Sequence, residues 1–110
     1  MRIEDTYEQP FPEANLSEED FIAVTDLLSK SIVIQDFKLF ENNKGPGVYL
    51  LFSFENDKAL HYTTTHSLNI TGILSGEKVA AAFANGETLE CTVVRRTSKK
   101  DPFKTVFTLE

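Results

Sequence analysis

Tryptophan is absent from this chain, cysteine occurs once and histidine twice. No apolar run approaches the roughly 20 residues needed to span a bilayer. Each shortage excludes something. A lone Cys91 rules out an internal disulfide, and its place in the alternating run LECTVV reads as a small buried hydrophobe rather than a nucleophile. His61 and His66 lie five residues apart with no cysteine or carboxylate at metal-ligand spacing, so neither zinc nor iron is expected. The glycines of GPG at 45–47 lack the spacing and the following helix of a phosphate loop. Ser67 adjoins His66, but without a nucleophile-elbow context the pair makes no catalytic triad. This inventory predicts no enzyme, no catalytic residues, no metal and no cofactor. The opening MRIEDTYEQPFPE has neither the basic nor the apolar region of a secretory signal. With an unpaired cysteine, that predicts a cytoplasmic protein with no membrane partner.

What is present is an uneven distribution of charge. The 110 residues carry a formal charge of -6, and all of it resides in residues 1–30, where two basic side chains face eight acidic ones. Residues 31–110 are balanced at nine of each sign. Within that neutral body, RRTSKKDPFK at 95–104 concentrates a net charge of +4. Residues 1–15, acidic and broken by Pro10 and Pro12, read as a disordered or extended arm, and residues 16–110 as one domain.

The domain opens with a helix predicted from Ser17 to about Lys30. Its first turn is acidic, and Phe21, Val24, Leu27 and Leu28 form the apolar face. In SIVIQDFKLFENN the apolar residues change parity between Ile34 and Phe37, which predicts a bulge near Gln35–Asp36. VYLLFSFEN and KALHYTTT form a hairpin, with Val48, Leu50, Phe52 and Phe54 on one face of the first strand. Residues 66–85 read as helical with a break at Ser75–Gly76; a strand over 78–84 is the competing assignment. Two alternating strands close the chain, the last placing Phe103, Thr105, Phe107 and Leu109 toward the core.

A helix, three strands, a helix and two strands is the element order of an OB-fold, a five-stranded barrel of the mainly β, α+β class. An open antiparallel α+β sheet is the alternative. An OB-fold carries oligonucleotides across strands 2 and 3 and between the loops joining strands 1–2 and 4–5. On this chain those positions are Lys38, Phe40, Lys44, Tyr49 and His61, then Arg95, Arg96, Lys99, Lys100 and Lys104. Aromatics would stack on bases while the cations neutralise phosphates. The competing readings pack Phe40 and Tyr49 beneath the first helix and leave the basic hairpin as a solvated tip that blunts a sheet edge.

The stretches DLLSKSIVIQDFKLFENNKGPGVYLLFSFEND, TTTHSLNITGIL and LECTVVRR with FKTVFTLE span about three-quarters of the chain. In that layout it resembles small phage- and prophage-encoded proteins of Gram-positive bacteria, some of them OB-fold single-stranded DNA-binding proteins. The resemblance implies non-sequence-specific binding of single-stranded nucleic acid, DNA above all, by a protein that often forms a homodimer. The alternative it leaves open is a phage or mobile-element accessory protein without nucleic-acid activity, contacting a protein partner through the acidic N-terminal arm.

Overall fold

The computed structural model describes residues 11–98, 100–101 and 103–110. Five strands dominate it: β1 (Ser31–Asn42), β2 (Gly45–Phe54), β3 (Asp57–Thr65), β4 (Leu89–Thr97) and β5 (Thr105–Leu109). They form one antiparallel sheet in the order β3-β2-β1-β4-β5. The first three strands make a meander, and the fourth returns by a long connection to lie beside the first, which is a Greek key. That connection holds α1 (Leu68–Leu74) and α2 (Glu77–Ala84). The result is a mainly β, α+β fold whose sheet curls into a half-barrel.

The curl has a local cause in β1. Ile34 sits opposite Phe52 but Asp36 sits opposite Leu51, so Gln35 is an extra residue without its own partner. Such a bulge bends the strand and inverts the side-chain parity beyond it. Ile32 and Ile34 before it and Phe37 after it thereby all reach the same core. Only Ser31–Ile34 pair with β4, while the rest of β1 pairs with β2 alone.

That core is assembled from Leu27, Ile32, Ile34, Val48, Leu50, Phe52, Ile70, Leu74, Cys91, Val93 and Leu109. Burying a side chain of this size stabilises by roughly 1.5–3 kcal/mol, so the inner face of the sheet carries most of the fold's stability. The segment predicted helical over 66–85 forms α1 and α2 within 68–84, with the break at Ser75–Gly76, and 78–84 belongs to α2 rather than to a strand. Val79 and Phe83, one turn apart, pack on the core, and Gly86 in the left-handed region (φ 79°) stops the helix.

The predicted first helix does not form. Residues 18–27 instead contain two short 3₁₀ turns, Glu18–Asp20 and Val24–Leu27. Of the expected apolar face only Leu27 is fully buried, and Phe21 is 42% exposed. The sheet competes for this segment's backbone. Ile22 N–H donates to the Tyr62 carbonyl (3.0 Å) and Ser29 N–H to that of Val93 (2.6 Å), so the chain runs along strands instead of coiling on itself. Ser17 does start a turn, its N–H donating to the Asp20 carboxylate (2.8 Å), but Val24, Thr25 and Asp26 are weak helix formers that do not extend it.

β3 and β5 lie at opposite edges of the sheet and do not pair. The junction between β3 and α1 reaches across: Ser67 Oγ donates to the Phe107 carbonyl of β5 (2.6 Å) and accepts from Ile70 N–H (3.3 Å). Among the described residues no helix is long and apolar enough to cross a membrane.

Candidate nucleic-acid interface

β1 and β2 present one face outward, where Lys38 lies opposite Tyr49 and Phe40 opposite Gly47. The Phe40 and Tyr49 rings sit 4.7 Å apart at 35°, a tilted pair rather than a T-shaped one. Gly47 makes that arrangement fit. A Cβ there would lie 2.5 Å from Phe40 Cζ and 3.0 Å from His66 Nδ1, so the absence of a side chain lets two rings converge on one spot. Lys44 stands exposed in the β1–β2 turn, its N–H held by the Asn42 side chain (2.9 Å).

The outer face of β2 and β3 has a different surface. Phe11, only 1% exposed, and Leu16 pack there on Tyr62, with Ala14, Tyr49, Leu51 and Leu60 around them. This small cluster is separate from the inner core. Residues 1–10 of the expected arm lie outside the described residues; residues 11–15 form a turn over Pro12–Ala14 with Asn15 in the left-handed region. Lys38 Nζ lies 5.6 Å from the centre of the Phe11 ring, so this segment engages one of the candidate phosphate-binding cations.

His61 is not on the outer face. It pairs with Phe52 on the core side of β3, its ring 5.9 Å from that of Phe52 and 5.5 Å from that of Phe54. The strand's twofold alternation decides this, since Tyr62 turns outward and its neighbours therefore turn inward. His61 Nδ1 and Thr63 Oγ1 on that inner face are buried without a hydrogen-bond partner among the described residues. No group of three or more described His, Cys, Asp or Glu side chains is placed to hold a metal ion. Burial pushes the Cys91 thiol up from 9.0 to about 11, which keeps it protonated and unreactive near neutrality.

The basic stretch forms the β4–β5 hairpin. Hydrogen bonds join the described residues near its tip: Ser98 N–H donates to the Lys104 carbonyl (2.8 Å), and Asp101 accepts from Phe103 N–H (3.0 Å) and, through its carbonyl, from Lys104 N–H (3.1 Å). Alternation divides the two arginines. Arg95 lies over Phe107 on the inner side, 4.9 Å from the ring centre. Arg96, opposite Val106, turns outward and pairs with Glu110 in an exposed ion pair of small energetic worth. Lys100 and Lys104 are exposed, and Lys99 lies outside the described residues.

Two residues outside the predicted set belong to this surface. Phe103, expected in the core, is 96% exposed at the hairpin tip, because β5 begins only at Thr105 and the turn throws the ring outward. His66 lies between the two regions. Its ring meets Phe40 edge-on at 5.4 Å, its Nδ1 donates to the Pro46 carbonyl (3.1 Å), and it lines a groove of about 890 Å³ shared with Arg96 and Lys100. The outward-facing positions Lys38 and Phe40 were legible from strand alternation, whereas the neighbours of His66 depend on how the sheet brings β1 and β2 beside the β3–α1 junction. No protein-family profile, curated protein or solved structure matches this chain.

Proposed function

We propose that this chain is an OB-type domain that binds single-stranded nucleic acid, DNA above all, without sequence preference, in a phage or other mobile element. The observation that carries this reading is the Phe40–Tyr49 ring pair on the outer sheet face, with Lys38 opposite Tyr49 and Lys44 in the adjoining turn. Successive bases stack on such aromatics whatever their sequence, and lysines along the same path neutralise phosphates. The strand order supports the fold half of the proposal. A Greek key extended by a fifth strand, open between β3 and β5, is the pattern of a partly open five-stranded barrel. Phe103 supports the other half, as an exposed aromatic flanked by Lys100 and Lys104 on the second loop.

A protein-binding role is favoured by one observation: residues 11–16 already cover the β2–β3 part of the outer face. One experiment separates the two readings. Labelled oligo-dT is titrated with protein and fluorescence anisotropy recorded, starting near 50 mM salt, where phosphate contacts are strong. The expected result is saturable binding whose log K falls linearly with log salt, by about 0.7 per phosphate neutralised. Phe40→Ala should weaken it roughly 5- to 150-fold, the range set by one lost stacking contact. No binding at that salt overturns the nucleic-acid reading and leaves the protein-binding one.

A further inference from the structure

We propose that the groove between the β3–α1 junction and the β4–β5 hairpin is a second nucleotide subsite, joined to the Phe40–Tyr49 surface by His66. The inference rests on the nucleic-acid reading above and extends it from the hairpin to the α1 wall facing it, which that reading does not use. The groove measures about 890 Å³, within the range of small-molecule sites. Its walls differ in chemistry. Arg96 and Lys100 come from the hairpin, and Leu68 and Ile73 from α1. Leu68 is 70% exposed, a large apolar side chain with nothing packed over most of it, and Ile73 is also exposed. Lys100, with Arg96 in its exposed pair with Glu110, on one wall and apolar side chains on the other match the two parts of a nucleotide, a phosphate and the face of a base.

Continuity with the first surface decides the occupant. Phe40 touches Tyr49 on one side (4.7 Å between ring centres) and His66 on another (5.4 Å), and His66 itself lines the groove. The aromatic pair and the groove therefore meet at His66, through which a strand on Phe40 would pass into the groove. The His66 ring is held in place rather than free. Its Nδ1 donates to Pro46, a carbonyl that can only accept, so the proton sits on Nδ1 and Nε2 is left without a protein partner among the described residues. Gly47 is the positioning residue, since any side chain there would push Phe40 and His66 apart.

The test uses a length series of oligo-dT on the full chain, with wild type, Leu68→Ser, His66→Ala and Phe40→Ala. Leu68→Ser alters a mostly exposed side chain and keeps the test sound should His66→Ala fold poorly. The expected pattern is that Leu68→Ser and His66→Ala each bind the longest oligonucleotide about tenfold more weakly, as for one lost base contact. Leu68→Ser should leave affinity for the shortest oligonucleotide that wild type still binds unchanged, whereas Phe40→Ala should weaken binding at both lengths. Proton NMR gives an independent reading, because the chain has only two histidines. Long oligo-dT should shift the His66 ring resonances and leave those of His61 in place. If wild type binds but Leu68→Ser and His66→Ala match it at every length, the groove serves some other ligand, such as an acidic peptide, and this subsite is overturned while the Phe40–Tyr49 surface stands. If wild type binds no oligo-dT of any length at low salt, the nucleic-acid reading itself fails and the subsite with it.

Discussion

β2 carries two hydrophobic clusters back to back. Inward, Val48, Leu50 and Phe52 are sealed by side chains from β1, β4, β5, α1 and the Leu27 turn. Outward, Tyr49 and Leu51 are covered by Phe11 and Leu16 from one short segment, together with Tyr62 and Leu60 of β3. The inner cluster thus ties together elements far apart in sequence, and losing any part of it loosens all of them. The outer cluster ties one segment to one sheet face, so it can open by itself. A fold can keep its architecture on one face of a strand and leave the other face for a surface that is covered, uncovered or shared.

The comparison is open to breakage from the inside first. Phe52→Ala should cost about 4 kcal/mol, the usual penalty for hollowing an aromatic out of a closed core. Urea unfolding followed by circular dichroism should show one cooperative transition at a much lower midpoint. Next, alkaline pH should report how dry the inner face is. The Cys91 thiol is raised to about 11 in the folded chain, so the unfolded thiol ionises first, near 9.0. Between those values the unfolded state binds fewer protons, and stability falls as pH rises. This contribution is whole below pH 9 and is lost by about pH 11, on the order of 2–3 kcal/mol in all. Measured as the stability gap between wild type and Cys91→Ala, it should shrink across that window; a constant gap would mean that Cys91 is wetter than its surroundings indicate.

A smaller effect is expected outside. Phe11→Ala should cost about 2 kcal/mol, less than an inner aromatic, because the segment can swing away and leave the sheet paired. Hydrogen exchange should quicken at Ala14 and Asn15 and stay slow at Val93. Equal acceleration at all three would make the two clusters one cooperative unit. Least of all, Gly47→Ala should cost about 1 kcal/mol, as Phe40 yields to the new methyl group. Its larger effect should be on binding, where the displaced rings lower oligo-dT affinity without moving the thermal midpoint by more than a few degrees.

Much of the inner face is readable from local pattern alone. The parity change between Ile34 and Phe37 announces the bulge, the alternation in VYLLFSF identifies Val48, Leu50 and Phe52, and Ser75–Gly76 marks the helix break. These are patterns that burial on one side imposes on a strand or helix. The N-terminal segment defeats such reading because Phe21, Val24, Leu27 and Leu28 fit a helical face, while the hydrogen bonds that pull the chain straight come from Tyr62 and Val93, far along the sequence. Phe103 falls inward only if the strand's alternation is extended two residues past its real start. His66 has no pattern to betray it. Its partners Phe40 and Pro46 come from β1 and β2 and its groove neighbour Arg96 from β4, and only the Greek-key return brings them to one place.

The hydroxyl of Ser67 on the Phe107 carbonyl has a consequence for the protein in a crowded solution. An open sheet ends in rows of unpaired peptide groups, which invite strands of other molecules to add on. Here one end of the sheet is met by Ile22 on the Tyr62 carbonyl and the other by Ser67 on Phe107. Each terminal row is interrupted in the middle by a group from the same chain, so a foreign strand would find no continuous ladder to copy. A half-closed barrel can in this way remain open without becoming a seed for fibres.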